Sequence, residues 1–194
     1  MMRTLLILAA LTFGVIGQAV AGDLEDGVAA YKIGDFATAV AKFRSAAERG
    51  EPVAQFNLGY MYRTGQGVAL NTRIAAEWYE KAATQGHSDA QYDLGVMLRE
   101  GEGLPQDDKK AAFWHLKSAE QGDALTQYNL GLMYYYGRGV AVDYVQAWKW
   151  WSLAEAKGIP DAKGNREFVE KKMTPQQLEE AKLRVAEWTL AHKE

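Results

Sequence analysis

The side chains able to do chemistry are few and scattered. His87, His115 and His192 are the three histidines, and there is no cysteine. That removes disulfide frameworks, zinc knuckles, iron–sulfur ligation and thiol catalysis together. No two histidines lie three or four residues apart, whereas metal sites carried on helices need convergent ligands; no metal and no other cofactor is expected. His115 shares its place in the pattern described below with Tyr79 and Trp151, which makes it a packing residue. Carboxylates pair at Glu77/Glu80, Glu100/Glu102 and Asp107/Asp108, but a glycosidase needs two carboxyls facing across a cleft, one of them in an apolar site. These read as solvated charge. Ser45, Ser88, Ser118 and Ser152 lack a glycine-elbow context and a histidine partner. The chain is read as non-enzymatic.

Gly65-Gln66-Gly67 and its copies suggest phosphate binding at first sight. They continue neither to a third glycine nor to Gly-Lys-Ser/Thr, and they follow a helix where a dinucleotide loop follows a strand. A turn that needs glycine geometry is the better account. With 194 residues, 48% hydrophobic, 24% charged and a net charge of -3, the chain suits one globular domain or a short repeat array. No basic stripe speaks for nucleic acid.

The amino terminus reads as an address. Arg3 opens it, Leu5 to Ile16 is apolar, and Ala19-Val20-Ala21 is the small-x-small pattern that a signal peptidase accepts. The apolar stretch is shorter than the roughly 20 residues of a membrane span. Cleavage after Ala21 would leave a periplasmic or secreted protein without a stable membrane anchor. An uncleaved anchor is the alternative.

The elements that position everything else follow one period. Leu58-Gly59, Leu94-Gly95 and Leu130-Gly131 are 36 residues apart, as are Met61, Met97 and Met133, and Trp78, Trp114 and Trp150. Gly65/Gly67, Gly101/Gly103 and Gly137/Gly139 keep the same step. So do Asp35, Asn71, Asp107 and Asp143. A fixed period of this length decides the fold. Each repeat reads as two helices. The first, near 52–64, 90–100 and 126–136, ends at a glycine able to take the left-handed conformation. The second starts at an Asn or Asp cap and ends at Gly86, Gly122 or Gly158. Ala75, Trp78, Tyr79, Ala82 and Ala83 form one apolar stripe on it.

One such pair cannot bury its stripe alone, and stacking does so. Residues 22–50 make a shorter opening pair, followed by repeats at 51–86, 87–122 and 123–158. Residues 159–194 close the array: Ala162 keeps the register, then Arg166 and Glu167 replace Leu-Gly. Thr174, Pro175 and Gln177 start a last helix, whose face of Leu178, Ala181, Val185 and Trp188 is expected to cover the open end. Trp150 and Trp151 fall on the stripe; Trp148 falls off it and is expected to be partly exposed, as a contact or membrane-surface residue.

These residues resemble the Sel1-like repeat family, relatives of the tetratricopeptide repeat. The resemblance is carried by AQFNLGYMYRTGQGV with AAEWYEKAATQG, AQYDLGVMLREGEGL with AAFWHLKSAEQG, and TQYNLGLMYYYGRGV with AWKWWSLAEAKG. It implies an all-α, right-handed α-solenoid of stacked antiparallel helix pairs, acting as an interaction scaffold. Some cysteine-rich exported relatives are linked to penicillin binding or β-lactam hydrolysis, so a hydrolase or binder of cell-wall or β-lactam-like substrates is the alternative, which a nitrocefin-type assay separates. Three residues depart from the family pattern: Thr126, Glu155 and His115.

In tetratricopeptide-like stacks the first helices line a concave face. There the spacing places Phe56, Tyr60 and Arg63; Tyr92, Val96 and Arg99; and Tyr128, Leu132 and Tyr135. Asn57, Asp93 and Asn129 stand beside them as candidates to hold a peptide backbone. Aromatics give large contact area at modest entropic cost, and arginine grips carboxylates with two bonds. A protein or peptide partner is expected. Packing of the same aromatics against neighbouring repeats is the competing reading.

Overall fold

The computed structural model describes residues 18–192, with side chains from Gly22. The expected signal segment lies outside these residues up to 17. Ten α-helices and no strand occur among the described residues: α1 (Gln18–Lys32), α2 (Phe36–Glu48), α3 (Pro52–Thr64), α4 (Thr72–Thr84), α5 (Ser88–Glu100), α6 (Asp108–Glu120), α7 (Ala124–Tyr136), α8 (Tyr144–Ala156), α9 (Pro160–Glu170) and α10 (Pro175–Ala191). Two compact units divide at residue 85: α1–α4 in the first and α5–α10 in the second. Within each, every helix packs on its sequence neighbour up to α9, and α10 returns to α8. This is the helix-pair stacking of the α-solenoid class.

Local chemistry sets the boundaries. The side chains of Asn71, Asp107 and Asp143 accept from the amides of Ile74, Lys110 and Gln146, capping α4, α6 and α8. Their own amides return to the carbonyls of Tyr62, Leu98 and Tyr134 at 2.8, 2.9 and 3.0 Å. One loop geometry thus folds each second helix back on its first. Gly65, Gly101 and Gly137 close α3, α5 and α7 at φ 71°, each donating to the carbonyl of Met61, Met97 or Met133. In two of the loops the second glycine has a further reason. Gly67 and Gly139 have φ of 69° and 71°, and a Cβ on either would overlap the backbone carbonyl of Phe36 or Asp108.

Two helices begin earlier than the spacing predicts. α5 starts at Ser88 because His87 Nδ1 accepts from the amide of Ala90, and α7 starts at Ala124 because Asp123 accepts from that of Thr126. At the carboxyl end, Thr174 and Gln177 form a full capping box for α10. Ala181 on its inner face is buried, and Leu178 and Val185 pack on the core around Trp151, Ala154 and Val169.

The glycine of each Leu-Gly pair admits a ring from the second helix. A Cβ at Gly59 would stand 2.8 Å from Tyr79, one at Gly95 2.8 Å from His115, and one at Gly131 2.5 Å from Trp151. Interiors pack near crystal density, so these helices approach closely only because the Cβ is missing.

Two of the departures from the repeat pattern, Glu155 and Thr126, find polar partners. Glu155 takes the place of Ala119, and Arg166 that of Leu130; Arg166 Nε lies 2.7 Å from Glu155 Oε2 and its Nη1 3.2 Å from Glu170. Thr126 Oγ1 lies 2.6 Å from Asp123 Oδ1 and 3.1 Å from Ser118 Oγ. Trp148 corrects an expectation. It is 8% exposed, donates from Nε1 to Glu170 at 3.0 Å and has the Arg166 guanidinium over its ring. The partners come from α9, beyond the repeats from which its exposure was inferred.

Candidate functional site: the first-helix faces

Each repeat places its first-helix residues in two registers. Ala54, Leu58 and Met61, with Ala90, Leu94 and Met97, and Leu130 and Met133, are at most 3% exposed. These hold the stack. Phe56, Tyr92 and Tyr128, and again Arg63, Arg99 and Tyr135, are half-buried in every copy. An aromatic ring therefore stands partly exposed at the same place three times.

In the first unit, the Phe56 ring lies 5.6 Å from that of Tyr79, and Asn57 is buried between the two registers. Tyr60 faces Tyr31, whose hydroxyl donates to Gln66 Oε1 at 2.9 Å. Burial first, and Tyr60 second, raises the Tyr31 pKa above the ordinary phenol value. Arg63 occupies the last turn of α3, where a cation complements the helix dipole.

In the second unit, Tyr92 lies 5.6 Å from the His115 ring. Asp93 and Asn129 are half-buried, and Arg99 pairs with Glu100 at 3.0 Å. Val96 is buried and Leu132 is half-buried. Tyr128 and Tyr135 are engaged by the chain itself. The Tyr128 hydroxyl accepts from Asn165 Nδ2 at 3.2 Å, and the Tyr135 hydroxyl accepts from Lys172 Nζ at 2.8 Å. The residues of and just after α9 therefore engage the α7 end of this face.

Two features escaped the sequence reading. The first is a set of glutamines at the repeat spacing. Gln55 and Gln127 donate from Nε2 to the carbonyls of Ala47 and Ala119, both at 3.1 Å. Each of these carbonyls, near a helix end, also accepts from a backbone amide beyond it, that of Gly50 or Gly122, at 3.0 Å. Gln85 and Gln121 in turn donate to Gln55 and Gln91 at 2.7 and 2.8 Å. Equal spacing of Gln55, Gln91 and Gln127, and of Gln85 and Gln121, was the available signal. The second is an aromatic box around Lys172, built from Tyr135, Tyr144 and Phe168.

His115 is fully buried, and neither ring nitrogen has a hydrogen-bond partner among the described residues. Burial first, then the Arg99 charge, pushes its pKa down to about 4. It is a neutral ring in a packing position. No group of three or more His, Asp or Glu able to hold a metal occurs among the described residues, and no helix there is long and apolar enough to cross a membrane.

No curated protein matches the chain. Solved structures do. A Sel1 repeat protein from Oxalobacter formigenes is 31% identical with a TM-score of 0.69, covering 74% of this chain and 57% of that one. c5321, a protective antigen present in uropathogenic Escherichia coli strains and displaying an SLR fold, is 30% identical with a TM-score of 0.58. That match covers 87% of this chain and 46% of the relative, so this chain spans about half the length of these two structures. Sel1 repeats generally mediate protein–protein interaction, typically without catalysis. The Sel1 repeat matches three times in succession, at residues 52–87, 88–123 and 124–159, which is more than half of the sequence; the chain belongs to the Sel1 repeat family.

Proposed function

We propose that this protein is a non-catalytic adaptor of the bacterial cell envelope, exported by the segment ending at Ala21, that holds a protein or peptide on the faces of its first helices. The observation that carries the reading is the partly exposed ring at Phe56 and Tyr92, repeated while the register beside it is sealed. A ring needed only for stacking would be buried with Leu58 and Leu94. Held on one side by Tyr79 or His115, Phe56 and Tyr92 are preorganised and lose little freedom on contact. Arg63 and Arg99 flank them with a charge suited to an acidic or carboxylate-bearing partner segment. The bacterial origin of both solved relatives and the small-x-small pattern at residues 19–21 support the envelope assignment.

The test is co-purification from the native envelope with wild type and with the triple variant Arg63→Ala, Tyr92→Ala, Arg99→Ala. The variant is expected to keep its helical content and lose the partner. A folded variant that retains the same partner overturns the proposal.

A further inference from the structure

Tyr135 on α7, Tyr144 on α8 and Phe168 on α9 bring three rings to one point. The Tyr135 centroid is 5.7 Å from that of Tyr144 and 6.1 Å from that of Phe168. Lys172, just past α9, places Nζ 5.1 Å from the Tyr135 centroid, 6.0 Å from Tyr144 and 4.9 Å from Phe168. It also donates to the Tyr135 hydroxyl at 2.8 Å. Ring faces attract cations within about 6 Å of the centroid. Among the described residues Lys172 has no carboxylate partner, so the rings and one phenol oxygen are what hold it. Both Lys172 and Phe168 are exposed, so the box opens to solvent.

We infer that this box is a receptor for a lysine side chain of the partner protein, kept closed in the free protein by the chain's own Lys172. The inference rests on the proposed function, since it names the chemistry by which that partner is recognised. Tyr135 sits on the first-helix face at the position of Arg63 and Arg99. The array thus ends, where its sequence departs from the repeat, in a site for the opposite charge. A primary ammonium is favoured over a quaternary one because Tyr135 Oη accepts a hydrogen bond, which a trimethylated nitrogen cannot donate. Lys172 spends no salt bridge on leaving and has solvent beside it. An incoming lysine can therefore exchange with it one cation for another.

The experiment uses small probes on the full chain, with aromatic NMR shifts of the three rings as readout. Nα-acetyl-lysine amide represents the side chain, tetramethylammonium a free quaternary amine, and 1-butanol an uncharged control. In Lys172→Ala, the lysine probe is expected to bind at least tenfold tighter than in wild type and tighter than tetramethylammonium. Lys172→Arg, which keeps a cation in place, should bind as weakly as wild type. Adding Phe168→Ala to Lys172→Ala should abolish the gain. Equal affinity of wild type and Lys172→Ala for the lysine probe, equal shifts with butanol, or a preference for tetramethylammonium would each overturn the inference. Partner capture lost through Arg63, Tyr92 and Arg99 while the probes fail at the box would overturn the box alone; the reverse result would overturn the first-helix reading and leave the box standing.

Discussion

Gln127 is buried with its Oε1 lacking a hydrogen-bond partner among the described residues, and Lys157 is the reason. Lys157 occupies the place from which Gln121 serves Gln91 and Gln85 serves Gln55. Its ammonium instead donates to the carbonyl of Gly122. A buried acceptor left without a donor costs about 1–3 kcal/mol. Lys157→Gln restores the donor of the preceding repeats and is expected to stabilise the protein by about 1 kcal/mol, because it also gives up the Gly122 contact. Denaturant unfolding checks this, and a variant no more stable than wild type contradicts it.

His115 gives a pH dependence with a defined window. The unfolded ring takes a proton near its ordinary value of 6.5, whereas the folded ring resists until about 4. The folded state then binds fewer protons, so its stability is full above 6.5 and falls as pH drops towards 4. The loss approaches roughly 3 kcal/mol. Burial lowers the His87 pKa as well, in the same direction. Asp35 and Asp107, held below the usual carboxylate value by hydrogen bonds within their helix caps, act at lower pH. His115→Phe should therefore flatten most of the slope between pH 6.5 and 4, leaving the part due to His87. An unchanged slope by denaturant titration at several pH values contradicts the assignment.

The two kinds of glycine separate under substitution. Gly86 has φ 91° and nothing within 4 Å of a built Cβ, so Gly86→Ala meets backbone strain alone, about 1 kcal/mol. Gly139→Ala adds overlap with the Asp108 carbonyl and should cost about 3 kcal/mol or more. Equal losses in chemical denaturation would show that the loop does not press against α6.

Most of the fold was legible because its determinants recur. The Asn and Asp caps, the glycine stops and the Thr174 capping box each act within a few residues, and the period shows which copies matter. What stayed hidden depends on contacts across helices. Glu155 departs from the pattern, and Arg166, itself irregular, pairs with it. Trp148 looked exposed because its partner Glu170 lies outside the repeats. The candidate face could be drawn from the spacing of Tyr92 and Arg99, but not its ending. That Tyr128 and Tyr135 are already engaged by Asn165 and Lys172 follows from a 37-residue offset that the 36-residue repeat does not display.

Photocrosslinking tests the face most directly. A benzophenone side chain at position 92 on α5 is expected to give a discrete adduct with another protein in native envelopes. The same group at Phe113, which is 51% exposed on the second helix of that repeat, should give none. An adduct from position 113 with none from position 92 would contradict the account.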